Sequence, residues 1–137
     1  MVTESIKRHE GFRGMPYKDT LGNWTIGYGT RLPISEEEAE LLLRHRLGNM
    51  AAELRTKVQF FDDLPETIQT VLLDMLYNLG INRLMTFNRM WEAVEKRDWQ
   101  KMAEEMKDSL WYQQVGDRSK ELVRKVEEFG ESGMEHA

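Results

Sequence analysis

One short stretch decides the fold class. In residues 24–29, WTIGYG, the large residues Trp24, Ile26 and Tyr28 alternate with Thr25, Gly27 and Gly29. A period of two belongs to a strand. Nearly everywhere else the apolar residues recur every three or four positions, which is the period of a helix. A small sheet inside a helical chain implies an α+β fold, mostly α. Tyr17–Asp19 supplies a partner arm, and Thr20-Leu21-Gly22-Asn23 supplies turn chemistry between the two, so the stretch predicts a hairpin. One face of its second arm is large and apolar. The other carries a hydroxyl and two bare backbone positions. Glycine within a strand marks a place where a ligand or another backbone comes close. With a four-residue loop, Asp19 and Thr25 are expected near each other across the ladder.

The helices follow from periodicity and caps. Thr3 to about Phe12 predicts a short helix with Thr3 as its N-cap, ended by Gly11, Gly14 and Pro16. Ile6 and Glu10 share a face of it. Ser35-Glu36-Glu37-Glu38 is a capping-box sequence. The series Ala39, Leu43, Leu47, Met50, Leu54 and Val58 continues from it as a helix over 35–58, about 36 Å long at 1.5 Å per residue. Gly48 inside it marks a bend or a close contact. Pro65 opens a helix whose stripe is Ile68, Val71, Leu72, Met75, Leu76 and Leu79, stopped by Gly80. Tyr77 and Asn78 stand at its end. Further helices are expected over Leu84–Lys96, after Asp98 and after Asp117, with a short piece at Trp111-Tyr112. The chain reads as a single domain: 1–34 a small hairpin-bearing lobe, 35–58 a connecting helix, 59–130 a helical lobe and 131–137 a frayed tail.

Composition narrows the chemistry. The 137 residues include no cysteine, which removes disulfides and thiolate ligands or nucleophiles. The net charge of −5 disfavours nucleic acid as the main partner. It also gives no help in attaching to an anionic cell envelope. No apolar run approaches the roughly 18 residues that span a bilayer. The opening MVTESIKRHEGF has no signal-peptide core, so synthesis in the cytoplasm without an export signal is expected. His9, His45 and His136 form no pair at metal-ligand spacing, and HExxH, Walker A and GxGxxG are all missing. No metal and no cofactor is expected.

Paired carboxylates remain. Glycoside hydrolysis needs a protonated acid at the leaving oxygen and a carboxylate on the opposite side of the sugar. Glu10 at a helix end and Asp19 on a hairpin could supply those two sides, with Thr25 beside the second.

The spacing Glu10, eight residues, Asp19, five residues, Thr25 resembles the catalytic pattern of phage-type lysozymes, the endolysins typified by the T-even phage enzyme. The words YKDT at 17–20 and TIGYG at 25–29 match as well. Similarity continues through SEEEAELLL, DMLYNLG, the WYQQ of 111–114, and Arg118 with Lys120. The resemblance implies two lobes joined by a long helix with a cleft between them. It implies hydrolysis of the β-1,4 bond between N-acetylmuramic acid and N-acetylglucosamine, on peptidoglycan glycan strands. Glu10 would be the general acid, Asp19 the base of an inverting reaction, and Thr25 the residue that positions water. Arg118 matches a family arginine near the acid, although the first turn of a surface helix explains it equally well. Tyr77 and Asn78 fall where the family lines its sugar cleft.

The chain also departs from the T-even enzyme. Thr30 replaces the histidine after the second glycine, and the segment from Arg31 to Ile34 is far shorter. A more compact small lobe is expected. The implied protein is a monomeric endolysin that needs a holin to reach the wall. Two other classes compete with it. A non-catalytic peptidoglycan-binding module would have no need of Glu10, Asp19 and Thr25 together. A helical DNA-binding protein conflicts with the charge. A lytic transglycosylase on the same fold would yield anhydro products.

Overall fold

The computed structural model describes residues 1–136, with side chains through residue 132. The chain divides into two compact units, Met1–Arg44 and His45–Ala137.

The first unit begins with helix α1 (Val2–Glu10) and continues into a three-stranded antiparallel sheet of order β1-β2-β3. Its strands are β1 (Arg13–Lys18), β2 (Trp24–Gly27) and β3 (Thr30–Arg31). Thr3 lies inside α1, not at its cap. Met1 occupies that position without a side-chain bond. The hairpin forms as expected, but its register differs from the expectation. Tyr17 pairs with Thr25 and Lys18 with Trp24, so Asp19 is not the ladder partner of Thr25. The register slips between Arg13 and Tyr17. Pro16 sits in that irregular stretch, where its missing N–H costs no ladder bond.

The third strand was not foreseen. Gly27 and Gly29 have φ of +71° and +73°. Glycine adopts such values without strain, and here they fold β2 back into β3. The two glycines therefore make a turn and are not bare positions along a continuing strand. Thr25 becomes the middle of a three-residue row, paired with Tyr17 on one side and Arg31 on the other. That central place leaves it 2% exposed.

Helix α2 (Glu36–Lys57) carries the chain from the first unit into the second. Its capping box forms in both directions. Ser35 N–H donates to Glu38 Oε1 at 2.9 Å, and Glu38 N–H to Ser35 Oγ at 3.1 Å. The helix passes through Gly48 unbroken, with nothing near that glycine. Leu41, Leu42 and Leu43 are exposed; Ala51 and Leu54 are its buried residues.

The second unit is helical: α3 (Glu66–Leu79), α4 (Ile81–Leu84), α5 (Asn88–Glu95), α6 (Trp99–Lys107), α7 (Leu110–Val115) and α8 (Asp117–His136). Its core gathers Leu54, Phe61, Ile68, Leu72, Met75, Leu76, Met102, Met106 and Val126, none more than slightly exposed. Met75, Met90, Met102 and Met106 are packing residues there, as are Trp91 and Trp111, whereas Met1 and Met15 of the first unit are exposed. Helix α8 runs beside α3, α6 and α7.

The helix expected over 84–96 is broken at residues 85–87. Thr86 Oγ1 donates to Arg83 O at 2.6 Å, competing with the helical ladder. The buried Trp91 Nε1 donates to Leu84 O at 3.0 Å, and so satisfies a carbonyl at the break. Asp98 caps α6 by accepting from Lys101 N–H. Asp117 is the first residue of α8, not its cap, and α8 continues to His136 through the stretch expected to fray. Ala137 lies outside the described residues. Among the described residues no helix is long and apolar enough to cross a membrane.

Candidate active site

Asp19 leaves the end of β1 and opens the turn to β2. Its backbone N–H donates to Asn23 O at 2.9 Å, and its own carbonyl accepts from Gly22 N–H at 3.0 Å. Its carboxylate is held unevenly. Oδ1 accepts from Leu21 N–H at 2.9 Å and from Asn23 N–H at 2.8 Å. Oδ2 faces Asn23 Nδ2 at 3.4 Å and Arg31 Nε at 3.9 Å. These partners hold the Asp19 carboxyl below the ordinary aspartate range. The Asn23 N–H is the largest cause. Partial burial opposes it, while the Asn23 amide, the Leu21 N–H and the Arg31 charge add to the lowering.

Thr25 projects from the centre of the sheet, and its Oγ1 donates to Asn23 O at 2.9 Å. Asn23 therefore joins the two expected site residues. Its N–H binds the Asp19 carboxylate, and its carbonyl receives the Thr25 hydroxyl. With its proton committed, that hydroxyl oxygen keeps its lone pairs for a further donor.

Glu10 is the last residue of α1. Gly11, at φ +71°, ends the helix by donating its N–H to Lys7 O. The Glu10 carboxylate lies against Gly29 in the β2–β3 turn. The same turn meets α1 through Tyr28, whose ring centroid lies 5.6 Å from that of Phe12 and 5.5 Å from Lys7 Nζ. Glu10, Asp19 and Thr25 thus all belong to the first unit. Asp19 and Thr25 are linked through Asn23, and the Glu10 carboxylate lies against the turn that closes the same sheet.

The other three expected residues belong to the second unit and gather there around α3. Arg118 Nε donates to Asp74 Oδ1 at 2.7 Å, and a terminal N–H reaches the Asp74 carbonyl at 3.2 Å. Asn78, one turn after Asp74, accepts from Trp111 Nε1 at 2.9 Å. Tyr77 is exposed beside them. Asp74, Asn23 and Arg31 were not singled out from the sequence. Asp74 had a signal, as the lone charge within the apolar run VLLDML. Asn23 had none, because it acts largely through backbone atoms.

The second unit also contains an open cleft of about 490 Å³ with Arg83, Phe87, Arg89, Asp108 and Trp111 among its lining. None of its lining residues is an expected site residue. No three His, Asp or Glu side chains gather at metal-binding distance among the described residues. Charge is unevenly spread along the sequence. Residues 1–35 hold five cations, Lys7, Arg8, Arg13, Lys18 and Arg31, against the three acids Glu4, Glu10 and Asp19. Arg13 lies over the Tyr17 ring at 4.4 Å and Lys18 over the Trp24 ring at 5.3 Å.

The family model described as Phage lysozyme matches residues 7–128. Among curated proteins, the chain is 25% identical to "Probable T4-type lysozyme 1" of Dictyostelium discoideum, over 92% of this chain and 93% of that one. It is 26% identical to the pre-baseplate central spike protein Gp5 of Enterobacteria phage T4, over 89% of this chain but 27% of that protein. It is 32% identical to the SAR-endolysin of Enterobacteria phage P21, over 56% of this chain and 50% of the relative.

Proposed function

The chain belongs to the phage lysozyme family, and on that premise we propose that it is a muramidase. Its substrate is peptidoglycan, and the bond cleaved is the β-1,4 link between N-acetylmuramic acid and N-acetylglucosamine. Glu10 gives its proton to the leaving glycosidic oxygen. Asp19 takes a proton from the water that attacks the anomeric carbon from the other side, and Thr25 holds that water. The glycosidic C–O bond breaks as the new C–O bond forms, and the anomeric configuration inverts. Tyr77, Asn78 and Arg118 contact the glycan.

The observation that carries this reading is the link through Asn23. An aspartate held below its usual pKa is ionised at neutral pH, as a base must be. The hydroxyl bound to the same Asn23 is left as an acceptor for water. The net charge of −5 is no obstacle, since residues 1–35 carry an excess of cations around the sheet.

The protein acts as a monomeric endolysin. It is made in the host cytoplasm and reaches the wall after a holin has permeabilised the membrane, causing lysis. Similarity to SAR-endolysins supports action on the wall.

The test is the product spectrum from purified Gram-negative peptidoglycan, separated and weighed by mass spectrometry. Wild type is expected to release hydrated reducing muropeptides. A folded Glu10→Gln variant is expected to release almost none. Anhydro ends would move the reaction to transglycosylation. Binding without release by the wild type would make the chain a binding module.

A further inference from the structure

We propose that Asp19 works through one oxygen, Oδ2, and that Asn23 and Arg31 are the positioning residues that set it. This inference rests on the muramidase reading and concerns the same site.

The two oxygens have different surroundings. A carboxylate oxygen offers two lone pairs. Those of Oδ1 are both engaged, by the N–H groups of Leu21 and Asn23 at 2.9 and 2.8 Å. Oδ1 is therefore a structural atom of the turn. Oδ2 has a long amide contact at 3.4 Å and a guanidinium nitrogen at 3.9 Å. The second distance exceeds direct hydrogen bonding. Oδ2 retains accepting capacity, and a proton arriving at Asp19 goes there.

The two positioning groups come from different elements. Asn23 precedes β2, and its amide reaches Oδ2 while its N–H holds Oδ1. That spans both oxygens and fixes the plane of the carboxylate. Arg31 lies on β3 as the ladder partner of Thr25. The strand that brings the guanidinium towards Asp19 is thus paired with the strand that presents the hydroxyl. The Arg31 side chain is 65% exposed, so its charge acts through space at modest strength. The other charged groups nearby are turned elsewhere. Lys18 of β1 lies over Trp24, and Glu10 of α1 lies against Gly29.

On the muramidase reading each hydrogen of the attacking water has an acceptor. One is donated to Thr25 Oγ1, whose own proton is already given to Asn23 O. The other passes to Oδ2 as the water oxygen bonds to the anomeric carbon. The leaving oxygen takes its proton from Glu10, so protons and bonds balance. The amide and the guanidinium then decide where the accepting lone pair lies. Neither touches the substrate in this step.

The test is the pH–rate profile on purified peptidoglycan for Asn23→Ala, Arg31→Met, Arg31→Lys and Asp19→Asn. Asn23→Ala is expected to lower kcat by between about 10- and 100-fold, the scale of a misplaced catalytic group, and Arg31→Met, which removes one exposed charge 3.9 Å away, by about 2- to 5-fold. KM should stay nearly unchanged. Both should also move the acid limb of the profile to higher pH, and Arg31→Lys should restore it. A purely structural role would scale the rate at every pH and leave the limb in place. The backbone bonds of residue 23 persist in Asn23→Ala, and Leu21 and Thr25 amide resonances report whether the turn is intact. An inactive Asp19→Asn, with wild-type acid limbs in Asn23→Ala and Arg31→Met, would overturn the positioning role and leave the muramidase reading standing. An active Asp19→Asn would overturn the reading itself, and this inference with it.

Discussion

The Glu10 carboxylate lies so close to Gly29 that a Cβ built on the glycine would meet Oε2 at 2.6 Å. The end of α1 and the β2–β3 turn are fitted to each other at this point, and only a residue without a side chain permits the approach. Gly29→Ala is expected to displace Glu10. It also places a Cβ on a residue with φ +73°, a conformation costing about 1–2 kcal/mol for residues other than glycine. Lytic activity should fall at least as much as stability predicts. A variant with full activity would show that the Glu10 position is not critical. Gly27→Ala provides the control, since its φ is similar but nothing lies within 4 Å of an added Cβ.

The Asp19 carboxyl is held down by the N–H of Asn23, with smaller contributions from the Asn23 amide, Leu21 and Arg31. Its folded value lies below its unfolded one. The ionised form therefore favours the folded turn. That contribution is complete above the unfolded value and is lost as pH falls through the folded one. In an NMR titration the Leu21 and Asn23 amide protons should shift together, with a midpoint below the ordinary aspartate value of about 3.9. A midpoint at or above that value contradicts the assignment of these donors.

Arg118 is anchored by Asp74 on α3. If Arg118 holds the glycan in the ground state and transition state alike, Asp74→Ala should raise KM and leave kcat nearly constant. A fall in kcat with an unchanged KM would instead give Arg118 a part in the chemical step.

Asn78 and Trp111 form a bond between α3 and α7. A double-mutant cycle of Asn78→Ala and Trp111→Phe, followed by urea unfolding, should give a coupling of about 1 kcal/mol. A coupling near zero would mean that the bond contributes nothing to stability.

Leu72 is fully buried in the second unit, whereas Leu42 of α2 is 50% exposed. Leu72→Ala should cost about 2–5 kcal/mol. Leu42→Ala should stay within about 0.5 kcal/mol. Equal losses would place Leu42 in a packed surface.

The parts of the fold that were legible in the sequence are those determined locally. The Ser35–Glu38 box, the stop at Gly80 and the Asp19–Asn23 turn each depend on a few adjacent residues. Strand β3 was not legible, because Thr30 and Arg31 alone carry no period. Gly27 and Gly29 fitted the alternation of a strand equally well, and only their positive φ shows a turn. The break at 85–87 was masked by an apolar period that runs straight across it from Leu84 to Trp91. In the candidate site, residue types and spacing picked out Glu10, Asp19 and Thr25. The link between the last two was hidden, since it passes through the main chain of Asn23, whose residue type signals a turn.

That link has a consequence for how the protein tolerates change over generations. The bonds from Asn23 N–H to Asp19 and from Thr25 to the Asn23 carbonyl survive almost any replacement at position 23. A one-residue insertion or deletion between Asp19 and Asn23 would instead break the two bonds that span the loop, from Asn23 N–H to the Asp19 carboxylate and from Asp19 N–H to the Asn23 carbonyl, and so part Asp19 from the residue that holds Thr25. The tip of this hairpin should therefore keep a fixed length, with free drift in letters confined to positions 20 and 21, since Gly22 holds φ +85° and the Asn23 amide reaches Asp19.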